Sequence, residues 1–271
     1  MNIIEAVRHR RSVRTFDGEA LRPEDARRLT DFAVGVENPY GIPIAWRLLD
    51  AVENGLSSPV IAGARTYMAG KLRRTDHAEE AFGYAFEKIV LFAETMGLGT
   101  TWIAGTMNRA AFERAMELSD GEVMPCVSPL GYPAEKMSLR ETVMRRGVRA
   151  DSRLPFGELF FDGSWETSLA PGRAGELLPA LEMVRLAPSA VNRQPWRVVL
   201  RDGKAHFYEK RSRGYVGADG WDLQKIDMGI ALCHFELGAQ AGGRRAVLAL
   251  DDPGLPAGEG LYYVASFVPE T

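Results

Sequence analysis

The sequence predicts an α+β protein made of two similar halves, each with a central, mainly antiparallel sheet flanked by helices. Three features of the first half recur in the second half, in the same order and at a nearly constant offset. The first feature is a Trp-Arg pair at the start of an apolar run, at Trp46 and at Trp196. The second is a glycine inside a long apolar helix, Gly83 and Gly229, and the third is the glycine that ends that helix, Gly97 and Gly243. Ordered recurrence of this kind indicates an internal repeat. Two unrelated halves that share common elements are the alternative.

The first half alternates helices with strands. A short amphipathic helix is predicted over residues 2–8, and Pro23, followed by two acidic residues, opens a second helix. The apolar patterns predict strands over 45–52, within 57–70 and near 123–133, a long helix over 79–96 and a shorter helix over 108–118.

The second half repeats this order. A helix over 175–187 leads to a strand over 196–210 that Asp202-Gly203 bends into a hairpin, because Asp-Gly favours a two-residue turn. A long helix over 226–242 follows, and two strands over 244–252 and 261–270 complete the half.

The boundary between the halves is expected within "DGSWETSLAPGRAG", which is rich in Gly, Ser and Pro and has no periodicity. We therefore divide the chain into residues 1–161 and 162–271. A duplicated unit would pack like the two subunits of a symmetric dimer, so it would offer two equivalent sites. Because the halves differ in sequence, only one of those sites needs to be kept.

Composition is that of an ordinary globular protein, with 46% hydrophobic and 25% charged residues among 271. The net charge of −3 gives no electrostatic reason to expect nucleic acid or an anionic membrane as a partner. The first residues lack the pattern of a secretory signal, and no window has the roughly 18 apolar residues of a membrane span. Cys126 and Cys233 lie in apolar runs, and the four histidines show no metal-ligand spacing. We expect a cytoplasmic protein with buried, reduced thiols and no metal.

The segment "RHRRSVRTF" places several guanidinium groups around one hydroxyl just after the first helix. The guanidinium groups of Arg8, Arg10, Arg11 and Arg14 surround Ser12, and arginine donates pairs of hydrogen bonds to phosphate oxygens. The segment therefore suits a phosphate group. A solvated basic patch is the alternative.

The segment "APSAVNRQPW" is a loop between a predicted helix and a predicted strand. Its two prolines restrict the backbone, and Ser189, Asn192 and Gln194 present donors and acceptors suited to the polar edge of a flat heterocycle. The alternative is that these side chains only satisfy nearby backbone groups.

The glycine-rich "GLGTTWIAGT" fits neither a dinucleotide-binding motif nor a P-loop. A tight extended segment after a helix can bring backbone N–H groups close to a ligand, although it can equally be a simple helix stop.

In combination, "RRSVRTF", "APSAVNRQPWRVV" and a long helix running into "GLGTTWI" and then "LGYP" resemble the FMN-dependent nitroreductase superfamily over nearly the whole chain. In that family a homodimer binds FMN in two grooves between subunits. One subunit contributes the arginine segment to the phosphate, and the other contributes the Asn-x-Gln-Pro-Trp loop to the isoalloxazine ring. The resemblance therefore implies a nitroreductase-like fold and FMN as cofactor.

The resemblance assigns roles to individual positions. It implies that the phosphate and ribityl chain bind at Arg10, Arg11, Ser12 and Arg14. The flavin ring would bind at Pro188, Ser189, Ala190, Asn192 and Gln194. Flavin N5 would lie near the backbone of the segment formed by Ile103, Ala104 and Gly105. "ADSRLP" resembles a late Lys-Ser-Arg-Leu-Pro segment, which adds Arg153 as a phosphate ligand, although Asp151 replaces the lysine. Lys71 is a further candidate for a lysine of the family that has no clear counterpart here.

The sequence departs from the family in one informative way. Where the first half should carry the ring loop it has "ENPYGIPIAW", which lacks the hydrogen-bonding groups, and the second half has "SWETSLAPGR" in place of the arginine segment. The resemblance therefore implies one FMN per chain, with the phosphate held by the first half and the ring by the second half. Such a chain would be an internal pseudo-dimer, expected to be a monomer or a weak dimer.

The resemblance implies an oxidoreductase in which NADH or NADPH reduces the flavin and a nitroaromatic, quinone or similar flat acceptor reoxidises it. No protein side chain is assigned as a proton donor. Three alternatives stay open: another flavin reaction such as dehalogenation, dehydrogenation or flavin destruction, a non-catalytic FMN-binding module, and a scaffold that has lost the cofactor.

Overall fold

The computed structural model describes residues 1–217, 220–256 and 258–270, and it divides into two compact units, Met1–Ala150 and Asp151–Thr271. The division falls earlier than the boundary at 161/162 that the composition indicates. The reason is the strand Phe160–Asp162, which pairs in parallel with the strand at Trp196 and so belongs to the second unit. Within the described ranges, no helix has the length and apolar character needed to cross a bilayer.

The first unit combines a five-stranded sheet with flanking helices. In chain order its elements are α1 (Ile3–His9), α2 (Pro23–Val34), β1 (Ala45–Asp50), β2 (Thr66–Arg73), α3 (Ala78–Thr95), β3 (Gly99–Thr100), α4 (Arg109–Ala115), β4 (Glu122–Val123), β5 (Val127–Gly131) and α5 (Leu139–Gly147). The strands pair in the order β1-β2-β5-β3, with β4 on β2, and every pair is antiparallel.

Local sequence explains the main elements of this unit. Asn2 and Glu5 form a reciprocal capping box that starts α1. Helix α3 is buried along most of its length, because its apolar residues cover a wide part of its circumference. Trp46 of β1 packs on Phe82 and Phe86 of α3 and lies directly over Gly70, where a side chain would overlap its ring.

The second unit has a sheet of five strands in the order β6-β7-β8-β10-β9. Its elements are α6 (Phe156–Leu159), β6 (Phe160–Asp162), α7 (Leu178–Leu186), β7 (Trp196–Arg201), β8 (Lys204–Lys210), α8 (Leu223–Ala241), β9 (Ala246–Ala249) and β10 (Leu261–Pro269). All strand pairs are antiparallel except β6 with β7. Helix α7 packs closely on α8, because Gly238 leaves no side chain between it and Ala180.

The two units share one topology. In each, a Trp-Arg strand pairs with the next strand, a long helix follows, and two later strands extend the sheet beyond the second strand, as β1-β2-β5-β3 and as β7-β8-β10-β9. Each long helix is followed within two residues by a glycine with positive φ, +76° at Gly97 and +74° at Gly243. This agreement of strand order and helix ends supports the internal repeat that the sequence indicates.

Most predicted elements are confirmed within a few residues. The hairpin turn is also confirmed, since Asp202 and Gly203 both have positive φ, 51° and 74°, between β7 and β8. The short β3, β4, α6 and β6 and the helix α5 were not predicted. The strand expected within 57–70 begins only at Thr66, because residues before it run beside the arginine segment, where the Ala62 N–H donates to the Arg14 carbonyl.

Candidate functional site

The arginine segment is an extended stretch held along both edges inside the first unit. It leaves α1 at Arg10, and Ser12 forms a parallel bridge with Thr100 of β3. The Val13 N–H donates to the Thr100 carbonyl at 2.9 Å, while the opposite edge bonds to Ala62. Because β3 follows α3 directly, the fold brings this segment and the glycine-rich segment together within one unit.

A buried carboxylate from α5 organises the arginine segment. The Glu141 side chain has no exposed surface and accepts from Arg11 Nη1 at 3.0 Å, from the Arg14 backbone N–H at 3.2 Å and from Thr15 Oγ1 at 2.8 Å. Ser138, which caps the start of α5, also contacts Thr15. The segment therefore has a defined shape, which this buried carboxylate helps to hold.

Burial and neighbouring charges shift the pKa values of ionisable groups in and beside this segment. Burial lowers the pKa of Arg14, against the opposing effect of Glu141, and Arg145 nearby adds to the lowering. Burial also raises the pKa of Glu94, while Arg10 and Arg11 act on it in the opposite direction. Within the described part of the chain, Arg10 Nε is buried and has no hydrogen-bond partner. Buried donors are nearly always paired in folded proteins, so this one is suited to an acceptor brought by a ligand.

In the segment after β3, one backbone N–H group is already hydrogen-bonded within the protein and the next two are not, within the described ranges. Ile103 exchanges two backbone hydrogen bonds of 2.9 Å with Val127, so its N–H is already paired, and its assignment to the cofactor stays a prediction. The N–H groups of Ala104 and Gly105 donate to nothing in the described ranges. Arg109 fixes this segment by donating to the Ala104 carbonyl at 3.1 Å. The role of these two N–H groups toward a cofactor stays a prediction.

The loop in the second unit has an unusual backbone. Val191, Asn192 and Gln194 have positive φ values of 44°, 59° and 52°. This region is disfavoured for residues other than glycine, especially β-branched ones such as valine, at a cost of about 1–3 kcal/mol each. Strain of this kind persists only where surrounding contacts impose it.

Hydrogen bonds within the second unit impose that shape. Ser189 Oγ accepts from the Gln194 backbone N–H at 2.9 Å, and Gln194 Oε1 accepts from the Leu154 N–H at 2.9 Å. Asn192 Nδ2 donates to the Ser152 carbonyl at 3.1 Å. Much of the polar capacity of these side chains therefore holds the loop itself, as in the alternative that the sequence leaves open. Gln194 is buried, whereas Ser189 and Asn192 are half-buried and can still be reached.

A second buried carboxylate supports the loop from α8. Both oxygens of Asp227 lie within hydrogen-bond distance of the Ala190 backbone nitrogen, at 3.0 and 3.1 Å. Asp227 is only 4% exposed, and burial raises its pKa well above the usual range, with Asp222 and Glu209 adding to the rise. The bond from Ala190 acts in the opposite direction.

Two further candidates have their donors engaged. Arg153 donates to the Ser152 carbonyl at 2.7 Å and to the Leu186 carbonyl at 3.2 Å, where it satisfies the C-terminal end of α7. Lys71 lies on β2 and binds Glu122 at 2.7 Å and the Glu117 carbonyl at 2.8 Å. Lys71 therefore forms an ion pair that ties β2 to Glu122 of β4, and this pairing would compete with any role as a ligand.

Three residues that shape these segments were not identified from the sequence: Glu141, Arg109 and Asp227. The only local signal was "SLRE", a Ser-x-x-Glu pattern that marks a helix start and so could have revealed α5. In the structure Glu141 turns away from the cap to bind the arginine segment. The described residues contain no cluster of three metal-ligating side chains.

A family model described as "Putative TM nitroreductase" matches residues 2–239. A search of curated proteins finds no match. Among solved structures, a "putative nitroreductase" from Thermotoga maritima is similar over 99% of this chain and 94% of its own, with 24% identity and a TM-score of 0.63. That likeness shows an α+β nitroreductase-like fold with two sheets.

Other solved nitroreductases align with only about half of the chain. A nitroreductase family protein from Clostridium novyi covers 51% of this chain and 90% of its own, with 19% identity and a TM-score of 0.43. A "putative nitroreductase in complex with fmn" from Desulfovibrio desulfuricans covers 52% and 95%, with 20% identity and a TM-score of 0.42.

Proposed function

The chain belongs to the family described as "Putative TM nitroreductase", and we propose that it is an FMN-dependent oxidoreductase that takes electrons from NADH or NADPH. The acceptor is a nitroaromatic, a quinone or a similar flat molecule. The observation that carries the proposal is the extent of the family match, which spans both the arginine segment and the loop 188–194. One FMN per chain is part of the proposal.

The arginine segment supports the assignment of the phosphate site. Arg14 is anchored through its backbone to a buried carboxylate, and Arg10 has a buried donor, Nε, without a partner in the described ranges. A dianionic phosphate would supply acceptors to such donors and would offset the crowding of like charges. In this assignment Ser12 and Arg11 complete the phosphate and ribityl contacts. Arg11 already shares one donor with Glu141, so it contributes with its remaining donors.

The ring-binding role of the second unit rests on the shape of its loop. Its strained backbone is held in place before any ligand arrives, and a site that is already ordered loses less entropy on binding. Ser189 and Asn192 are half-buried and reachable, and Pro188 and Ala190 present the adjoining backbone. Gln194 acts mainly by holding the loop on Leu154.

Bound FMN would supply the redox chemistry, with hydride or electron transfer through its ring. The protein's part is to bind, orient and stabilise. The N–H groups of Ala104 and Gly105, kept in place by Arg109, are available as donors to the ring, and fixed donors of this kind stabilise developing negative charge. No buried acid–base pair of this chain is required for that transfer.

A visible-absorption titration tests the proposal. Purified protein freed of bound flavin is titrated with FMN and then, without oxygen, with NADH and separately with NADPH. We expect a shift of the flavin bands on binding and bleaching by at least one of the two donors. A protein that binds FMN but is reduced by neither donor would be a flavin-binding module, and a protein that binds no FMN would refute the proposal altogether.

The class of acceptor needs a second assay. Turnover is compared for a nitroaromatic, a quinone and a halogenated aromatic under the same donor concentration. Activity confined to the halogenated compound would replace nitroreduction by another flavin reaction.

A further inference from the structure

The loop 188–194 places three non-glycine residues in left-handed backbone conformations in close succession, so it requires contacts that impose this shape. The contacts come from two sides. Gln194, at the end of the loop, is held by Ser189, Leu154 and Arg197, whose Nη1 donates to the Gln194 carbonyl at 3.0 Å. The start of the loop is held at Ala190 by Asp227.

A carboxyl group is energetically unfavourable at the buried position of Asp227. It is almost fully buried on α8, a helix whose buried side chains are mainly apolar, and two other buried acids, Asp222 and Glu209, lie in its surroundings. Those two acids have partners of their own: Asp222 caps the Gln224 N–H, and Glu209 binds Arg211. A carboxyl group buried among others costs stability unless its hydrogen bonds compensate.

The contact of Asp227 is specific to the loop. Both of its oxygens point to one backbone N–H, that of Ala190, and the next two residues are the strained Val191 and Asn192. An aliphatic residue would fill the same space in the helix without the cost of a buried charge, but it could not accept from Ala190.

We propose that Asp227 is the positioning residue of the flavin-ring loop, which fixes the backbone at Ala190 so that Asn192 and Ser189 are presented in one arrangement. This inference rests on the proposed function. It adds a residue on α8 to the site, outside the motif through which the family resemblance is seen. Asp227 acts through the backbone of Ala190 and does not itself touch the ligand.

The test separates ring binding from phosphate binding and from stability. Lumiflavin carries the ring without the ribityl phosphate, so its dissociation constant reports ring binding without phosphate binding. Asp227→Ala and Asp227→Leu, which cannot accept from Ala190, are compared with Asp227→Asn, whose amide oxygen can. Gln224→Leu is the matched control, because Gln224 is a buried polar residue of the same helix that bonds to Ser212 and Lys210 and not to the loop.

For Asp227→Ala and Asp227→Leu we expect lumiflavin affinity to fall about tenfold, which corresponds to the loss of one hydrogen bond. Asp227→Asn should restore most of it, and Gln224→Leu should leave it unchanged. The measurements are made where circular dichroism shows each variant fully folded, because a purely structural role would change the unfolding midpoint and leave ring affinity intact. Parental affinity in folded Asp227→Ala or Asp227→Leu would overturn the inference.

Hydrogen exchange provides a test that does not need a folded variant. In the parent protein the Ala190 amide should exchange much more slowly than the amide of exposed Val191, and equal rates would overturn the inference. Failure of the proposed function is recognised separately, since it would appear as a parent protein that binds neither FMN nor lumiflavin.

Discussion

Replacing Glu141 tests how the arginine segment is held in its shape. Its side chain is fully buried and accepts three hydrogen bonds, from Arg11, from the Arg14 backbone and from Thr15. Glu141→Ala removes the acceptor of all three hydrogen bonds. Glu141→Gln keeps the shape and part of the accepting capacity.

The expected magnitude follows from what each donor can do afterwards. The Arg14 N–H would be left partly buried without an acceptor, at about 1–3 kcal/mol. Thr15 can still bond to Ser138 Oγ at 3.1 Å, and Arg11, 37% exposed, can turn to water, so the loss of that ion pair contributes only about 0–1 kcal/mol. Glu141→Ala should therefore destabilise the protein by about 1–4 kcal/mol in total, and Glu141→Gln by about 1 kcal/mol.

The assay is urea-induced unfolding followed by circular dichroism, with Glu53→Ala as control because Glu53 is exposed. We also expect FMN affinity to fall about tenfold in folded Glu141→Ala, since the segment loses its anchor, while riboflavin affinity changes little. A Glu141→Ala protein as stable as the control would refute the assignment of Glu141 as the organising residue. An intact preference for FMN over riboflavin would refute its link to phosphate binding.

Four further predictions address separate parts of the structure. Arg14→Gln should weaken FMN by about 10–100-fold without changing riboflavin affinity, because it removes charge-assisted bonds to phosphate; an equal loss for both ligands in a titration would contradict this. Val191→Gly should leave stability unchanged or raise it by up to about 1 kcal/mol, since relief of left-handed strain exceeds the entropic cost of glycine; a clear fall in the urea midpoint would show that the loop is not strained. Gly238→Ala should destabilise by about 1–2 kcal/mol, because its new Cβ would lie 2.6 Å from Ala180 Cα and the gain in helix propensity offsets only part of that overlap; an unchanged unfolding free energy would argue against tight packing of α7 on α8. Burial raises the pKa of Asp227, so the folded state binds its proton more tightly than the unfolded state. The resulting stability is present at low pH and is lost as pH rises through the folded-state pKa, so Asp227→Asn should gain stability relative to the parent from about pH 4 upward. A difference between the two unfolding free energies that stays constant with pH would refute this.

The sequence was sufficient for the elements that carry a strong local pattern. The long helices α3 and α8 have apolar runs of many turns and end near a glycine with positive φ, so periodicity and a helix-stop signal agree. Asp202-Gly203 encodes its turn in two residues. The recurrence of these features also indicated the two-part architecture, which the shared strand order supports.

The residues that support the site could not be found in this way. Glu141 is buried only because the arginine segment, about 130 positions earlier, supplies its donors. Helix α5 is short and polar, so its periodicity is weak, and its place in the fold depends on that contact. In the sequence, Asp227 is a single acidic residue within an apolar helix. Its role depends on the Ala190 backbone N–H, 37 positions earlier, which donates to it.

The division of the chain shows the same limit. Segment 162–175 looks like a linker from its composition, yet the strand Phe160–Asp162 just before it joins the second sheet through pairing with β7. Strand pairing between distant residues leaves little trace in local composition. The compact units of the structure meet at residues 150 and 151, which is earlier than the boundary that composition indicates.

We expect this chain to bind FMN through its arginine segment and its strained loop, once per chain. Isothermal titration of flavin-free protein with FMN and with riboflavin measures both affinities and the stoichiometry. The expected result is one FMN per chain and a clearly weaker riboflavin complex. Absence of binding, or equal affinity for the two flavins, would show that the proposed cofactor site is wrong.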